Sequence, residues 1–207
     1  MSNDPIIDIH DTAIIKYPLR PLQGMVISQC NPIDIEVKIM GNLHVGAYSV
    51  IGEGVVLGDN VIIDVFCNVE RGVVIGNGTI LVHRATVGGF SKIGENCVIG
   101  GLIGESTIIG NNCRVFGTVV HKQDDPVPSW DHREDPEPSV VIHDNSFIGF
   151  ESFVAGDIEI GPQAYICAGA VITKSVKPGM IAFGMNKMIH HSEWNGKLGE
   201  SDFFNGV

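Results

Sequence analysis

The chain is poor in basic residues: 13 Lys and Arg stand against 24 Asp and Glu in 207 residues, a formal net charge of −11. Nucleic-acid binding rests on clustered cations that displace counterions from phosphates, so no nucleic-acid partner is expected. Long apolar runs are missing as well. None approaches the roughly 20 residues that cross a bilayer, and the opening MSNDPIIDIHDTA has neither the basic start nor the apolar stretch of a signal peptide. No membrane association and a cytoplasmic location are the expectations. Cysteines are few, at 30, 67, 97, 113 and 167, odd in number and without a C-x-x-C pair. Neither a disulfide framework nor a zinc ribbon is indicated, and reduced thiols are expected. Aromatic residues make up only 7% of the chain, whereas Gly occurs 26 times.

Glycine recurring among aliphatics points to a short-period repeat. Every sixth position from Ile9 reads Ile9, Ile15, Pro21, Ile27, Ile33, Ile39, Val45, Ile51, Leu57, Ile63, Val69, Ile75, Leu81, Val87, Ile93 and Ile99, fifteen aliphatics in sixteen. Ile, Val and Leu fill 58 of the 207 positions, so a random register would show four or five. Gly follows the aliphatic at 46, 52, 58, 76, 88, 94 and 100, and four positions after it stand the small or β-branched Ser49, Val55, Val61, Cys67, Val73, Thr79, Ala85, Ser91 and Cys97. The pattern predicts an all-β chain with one short strand per hexad, the aliphatic turned inward and Gly placed for an unusual φ. Three hexads close a triangular coil, and coils stack at strand spacing into a prism.

The register then slips by two, to Ile103, Ile109 and Val115, with Thr107, Cys113 and Val119 in the small slots and His121 at the next hexad position. After it, HKQDDPVPSWDHREDPEPS suspends the period with four Pro and six acids. The repeat resumes at Ile142, Ile148, Val154, Ile160, Ile166 and Ile172. This gives about eight coils, a prism roughly 38 Å long at the strand spacing, with residues 1–189 as one domain and an excursion over 122–139. The aperiodic residues 190–207 are read as a tail or short helix.

An aliphatic–Gly hexad array interrupted once, just after a His, resembles the left-handed β-helix acyltransferases of the hexapeptide-repeat family. The likeness runs from about Ile9 to Asn186. Ala168-Gly169-Ala170-Val171-Ile172-Thr173-Lys174-Ser175-Val176-Lys177-Pro178 is similar to the A-G-S-V-V-x-K-S-V-P-P run of xenobiotic, galactoside and serine acetyltransferases, while their G-N-P-A signature is replaced by Gly184-Met185-Asn186-Lys187. The resemblance implies a left-handed helix, a homotrimer and acetyl-CoA as acyl donor. It also implies His121 as general base, deprotonating a hydroxyl or amine as it attacks the thioester, a task suited to imidazole at neutral pH. Further, it places Ala168, Gly169 and Ala170 along the pantetheine arm, with Lys174 and Lys177 where CoA phosphates pass.

On the excursion, Asp124 and Asp125 are the carboxylates nearest His121 in sequence, and the acidic loop suits a cationic or polyhydroxyl acceptor. Trp130 either pins the loop or walls a ligand site. The acceptor expected is a small sugar, amino sugar or antibiotic-like molecule. γ-Class carbonic anhydrases share the prism and hold zinc with three His. Here His44 and His83 lack the rest of that set, since Pro126 stands five after His121, so no metal site is expected. Cys67, Cys97 and Cys113 fall in small inward slots and are read as core. The competing reading is a non-catalytic prism serving as scaffold or binding module, to which the altered G-N-P-A signature would correspond.

Overall fold

In the computed structural model, residues 5–15, 19–21, 37–122, 138–195 and 198–204 are described. Their strands form three sheets, of ten, eight and eight strands, and every pairing is parallel except that of Met180–Phe183 with Lys187–His190. The chain is a left-handed parallel β-helix. A first face carries Leu43–Val45, Val61–Ile63, Ile80–Leu81, Val98–Ile99, Arg114–Val115, Phe147–Ile148 and Tyr165–Ile166. A second carries Val50–Ile51, Asn68–Val69, Thr86–Val87, Leu102–Ile103, Thr118–Val120, Phe153–Ala155 and Val171–Ile172. The third runs through Val37–Ile39, Val56–Leu57, Val74–Ile75, Lys92–Ile93, Ile108–Ile109, Val141–Ile142 and Glu159–Ile160.

The inward residue of each strand is the hexad aliphatic, and Val45, Ile51, Leu57, Ile63, Val69, Ile75, Leu81, Val87 and Ile99 are all fully buried. Burial of one such side chain is worth about 1.5–3 kcal/mol, repeated on every rung. Small slots fill the corners of the triangle. Where they are polar they are paired: Ser49 Oγ donates to the Asp64 carbonyl at 2.6 Å, Thr79 Oγ1 to Gly94 at 2.8 Å and Ser91 Oγ to Gly104 at 2.9 Å.

Three sequence expectations need correction. The hexad series is not continuous from Ile9, because Ile9 pairs directly with Val45 and Ile15 with Ile51, so no rung lies between; Ile27 and Ile33 fall outside the described residues. The slip of two occurs twice, at corners where only Gly100–Gly101 and then Phe116–Gly117 join first-face to second-face strands. Val119 is consequently an inward strand residue, paired with Ile103 and Val154, and His121 lies two residues beyond it, not at a hexad position. Third, the Gly residues that follow the aliphatics do not have positive φ. They are close approaches: a Cβ on Gly94 would lie 2.6 Å from the Gly110 carbonyl carbon on the next coil. Positive φ falls two residues later, mostly on other types, including Tyr48, Asn60, Phe66, Arg84, Phe90 and Asn96.

At the end of the chain the described residues hold no α-helix but two short 3₁₀ helices. Lys187–His190 pairs antiparallel with Met180–Phe183, and two 3₁₀ turns follow at His191–Glu193 and Asp202–Phe204. Phe204 is buried, stacked on His191 with centroids 4.5 Å apart, and Phe203 meets Tyr165 edge-on at 5.7 Å. The segment thus folds back over the upper part of the first face.

Candidate active site

His121 follows the second-face strand Thr118–Val120, at the corner leading to the third face. The excursion starts immediately after it and is closed at its root, where the Lys122 N–H donates to the Pro138 carbonyl at 2.9 Å. Ser139, on the returning arm, places its Oγ 3.0 Å from Thr107 Oγ1 on the coil before. His121 is half-buried, and its Nδ1 is closed off from solvent. Asp124, Asp125 and Trp130 lie outside the described residues, as does most of the expected excursion.

Strand register shows what shares the edge with His121. Val87, Ile103, Val119, Val154 and Ile172 are successive rungs of the second face. The residues two beyond each of them are Gly89, Glu105, His121, Gly156 and Lys174. His121 therefore stands between Glu105 one rung before and Gly156 one rung after, with the exposed Lys174 two rungs after. Sequence reasoning missed Glu105, because sixteen residues separate it from His121 and only the double slip brings the two into one column.

The proposed donor-binding stretch is elsewhere on the same chain. Ala168 and Gly169 are exposed at the corner between the first and second faces, and Ala170 begins the strand run that ends near Lys174. Only Val171–Ile172 of this stretch is strand, and Gly169, at φ 67, turns the chain at the corner, so Ala168 and Lys174 lie towards opposite ends of the second face. Lys177 lies one step further on, past Val176, which bridges to Ile160 on the third face. The corner is open: a Cβ on Gly169 would meet nothing within 4 Å. Below it Phe150 is 61% exposed and stacked on Phe116 with centroids 4.5 Å apart, and its carbonyl accepts the Gly169 N–H at 2.9 Å. The turn that replaces G-N-P-A is rigid, with Asn186 Oδ1 accepting the Thr173 N–H at 2.8 Å and its Nδ2 donating to Thr173 Oγ1 at 2.9 Å.

The other candidates sit apart. His44 pairs with Asp8 at 2.7 Å on the outside of the first face, and His83 lies edge-on to Phe66 with centroids 5.8 Å apart. Among the described residues no three His, Cys, Asp or Glu side chains gather as metal ligands. Cys67, Cys97 and Cys113 are buried in the prism as expected. Burial pushes the Cys67 thiol above its ordinary range, and the hydrogen bond with Cys97, followed by burial, does the same to Cys113. No helix of the described residues is long and apolar enough to cross a membrane.

Comparison with known proteins gives the same class. The family "Bacterial transferase hexapeptide (six repeats)" matches residues 139–174, and "Hexapeptide repeat of succinyl-transferase" matches residues 42–64 and 92–120. These stretches carry the hexapeptide repeat of bacterial transferases, on a left-handed β-helix. It is similar to the bifunctional protein GlmU of Clostridium novyi, 28% identical over 197 residues, covering 89% of this chain and 36% of that protein. It is likewise similar to that of Bartonella quintana, 30% identical over 195 residues, with 91% and 40% covered. The chain thus spans about two fifths of the length of these curated relatives. Its fold matches the UDP-N-acetylglucosamine acyltransferase of Francisella novicida with a TM-score of 0.50 at 16% identity, covering 86% of this chain and 65% of that one.

Proposed function

We propose that the chain is an acyltransferase that moves an acetyl group from acetyl-CoA to a hydroxyl or amine of a small sugar, amino sugar or antibiotic-like acceptor. The observation that carries this reading is the placing of His121, a half-buried imidazole at the root where Lys122 and Pro138 join by a backbone hydrogen bond. A scaffold has no use for an ionisable group there. The family match and the acyltransferases with this fold support the reading.

Acetyl-CoA supplies the activated thioester, and the chain's residues do the rest. Ala168, Gly169 and Ala170 hold the donor's arm, Lys174 and Lys177 attract its phosphates, and His121 takes the proton from the attacking group so that transfer needs no covalent enzyme intermediate. Orientation of the two substrates supplies the remainder of the barrier lowering. Because the donor ledge and His121 lie on different corners, the reaction centre forms between neighbouring prisms, with the ledge of one facing His121 of the next. A homotrimer satisfies this for all subunits at once.

His121→Asn tests the assignment. The expected loss in kcat is about 10²- to 10⁴-fold, the scale of general-base assistance, with acetyl-CoA affinity and melting temperature nearly unchanged and the acid limb of the kcat/KM profile abolished. A folded variant with full activity in a thiol-release assay would remove His121 as the base. Lys174→Ala with Lys177→Ala is expected to weaken CoA binding a few-fold at low salt and less at high salt, while leaving turnover of the bound complex largely intact.

A further inference from the structure

The second-to-third corner on the rung after His121 is built differently from those before it. At four earlier corners the positive φ falls three residues after the inward aliphatic, on Gly54, Gly72, Phe90 and Ser106, with values between 58 and 66. Phe90 and Ser106 show that this position accepts a side chain. After Val154 the positive φ falls two residues on, at Gly156, and reaches 122, a conformation that favours glycine. The difference accompanies a longer pairing. Thr118–Val120 and Phe153–Ala155 stay in register through Val120 and Ala155, and the Gly156 N–H then donates to the Val120 carbonyl at 3.1 Å. Only Asp157 is left before the buried Ile158, and Gly156 makes the turn that brings the chain inward.

Register continued by one residue sets Gly156 beside His121 on the next rung, and Lys174, one rung further, carries the next side chain of the column. Other glycines at this corner are hemmed in: a Cβ on Gly52 would lie 2.7 Å from the Arg71 backbone nitrogen, and one on Gly88 2.6 Å from that of Glu105. A Cβ on Gly156 would meet within 4 Å, among the described residues, only Ile158 Cγ2 at 3.5 Å. Crowding by the next coil therefore does not call for glycine here. From His121 to Lys174, two rungs or about 9.6 Å, the column holds only the bare backbone of Gly156. The imidazole Nδ1 is closed off from solvent, so the ring meets a reactant through Nε2.

Glycine lets a ligand lie close against the backbone. We propose that Gly156 is a specificity-determining residue of the acyltransferase site: it keeps the approach to His121 Nε2 open, and its missing side chain leaves the place where the acceptor lies while its hydroxyl or amine gives up a proton. The inference rests on the acyltransferase reading for the identity of the reactant, but not for the opening beside the imidazole. It separates the two substrates. The donor arm is assigned to the first-to-second corner at Ala168, Gly169 and Ala170, so a side chain at 156 obstructs the acceptor and leaves the donor in place. It also limits size, because an acceptor that is broad around its reacting group fits only while this rung stays bare.

Diethyl pyrocarbonate, whose carbonyl an unprotonated imidazole nitrogen attacks with loss of ethanol and carbon dioxide, reads the opening without turnover. The full chain is labelled at neutral pH and each histidine followed by peptide mass spectrometry. Despite its half-burial, His121 is expected to react at a rate comparable to that of the exposed His83, and several-fold more slowly in Gly156→Ala and Gly156→Leu. In the same variants the acceptor KM should rise about tenfold or more, the mark of lost binding, with acetyl-CoA affinity unchanged. Gly54→Ala forces alanine into a positive φ far from His121 and should alter neither readout, which tells backbone strain apart from obstruction. Slow labelling of His121 in the wild type would overturn the proposal even where the Gly156 variants fail to fold, as would equal effects in Gly54→Ala. Thiol release with the acceptor KM unmoved in folded Gly156→Ala would overturn the proposal and keep the transferase reading. The labelling contrast without thiol release by the wild type would uphold the opening at Gly156 and sink that reading.

Discussion

Gly94 and Arg84 show two different demands that a triangular coil makes on single residues. Gly94 is needed for space, since the next coil's backbone lies where its Cβ would be, whereas Arg84 occupies a turn with φ 64 that would suit glycine better. Gly94→Ala is expected to cost about 1–3 kcal/mol, the range for forcing extra atoms into a packed site. Arg84→Gly should be neutral or stabilising by up to about 1 kcal/mol, because the left-handed penalty is relieved. Denaturant melts of both variants check the contrast, and equal losses would refute it. Cys67 adds a pH dependence. Its thiol is raised by burial above the ordinary value near 9, so the folded chain keeps this proton at pH values where the unfolded chain releases it. The stability involved is complete below about pH 9 and lost as pH rises beyond it. The melting temperature should therefore fall between pH 9 and 11, and less steeply in Cys67→Val, which fills the slot as Val55 and Val73 fill theirs.

Along each element, the corner between the third and first faces holds a ladder of side-chain caps. Asp59 Oδ1 accepts the Asn42 N–H at 2.7 Å, Asn77 Oδ1 that of Asp59 at 2.8 Å, Asn111 Oδ1 that of Glu95 at 2.8 Å and Asp144 Oδ1 that of Asn111 at 2.8 Å. Part of the acidic excess is thus structural, tied to backbone donors one coil away. Asp59→Ala should cost about 1 kcal/mol and Asp59→Asn much less, since Asn77 does the same work one rung on; thermal melts separate the two. The inward aliphatics were legible in the sequence because they recur with one period on one side of each strand. The ladder was not, because its members are linked by pairs sixteen to thirty-three residues apart and vary among Asp and Asn. The same blindness hid Glu105 beside His121 and misplaced Val119, since a corner shortened by two residues leaves the local pattern intact while shifting every later alignment. His121 itself was found from the interruption that follows it.

For the molecule as a whole, the outward column of the second face is uncharged from Val50 through Asn68, Thr86, Leu102, Thr118 and Phe153 to Val171. In a chain of net charge −11, a flat uncharged face with Leu102 45% and Phe153 40% exposed suits burial against another subunit. Sedimentation should give the mass of three chains, and a mass near one chain would also dismantle the proposed reaction centre. Mixed assemblies provide a sharper check. Chains carrying His121→Asn and chains carrying Gly169→Trp, each inactive alone, should recover activity when refolded together, because some interfaces then join an intact ledge to an intact imidazole. Absence of recovery in verified mixed trimers would place both groups on one subunit. At the top of the prism, the reversal of Lys187–His190 against Met180–Phe183 has a consequence for solubility. A parallel coil presents on its last rung the same unsatisfied donors and acceptors that every earlier rung offered its successor, an invitation to end-to-end polymerisation. The antiparallel strand takes that seat with its polarity reversed and sets Lys187 and His190, both exposed, at its two ends. It works as a chain terminator for the solenoid, and a chain cut after Asn186 should grow into fibres that the intact protein does not form.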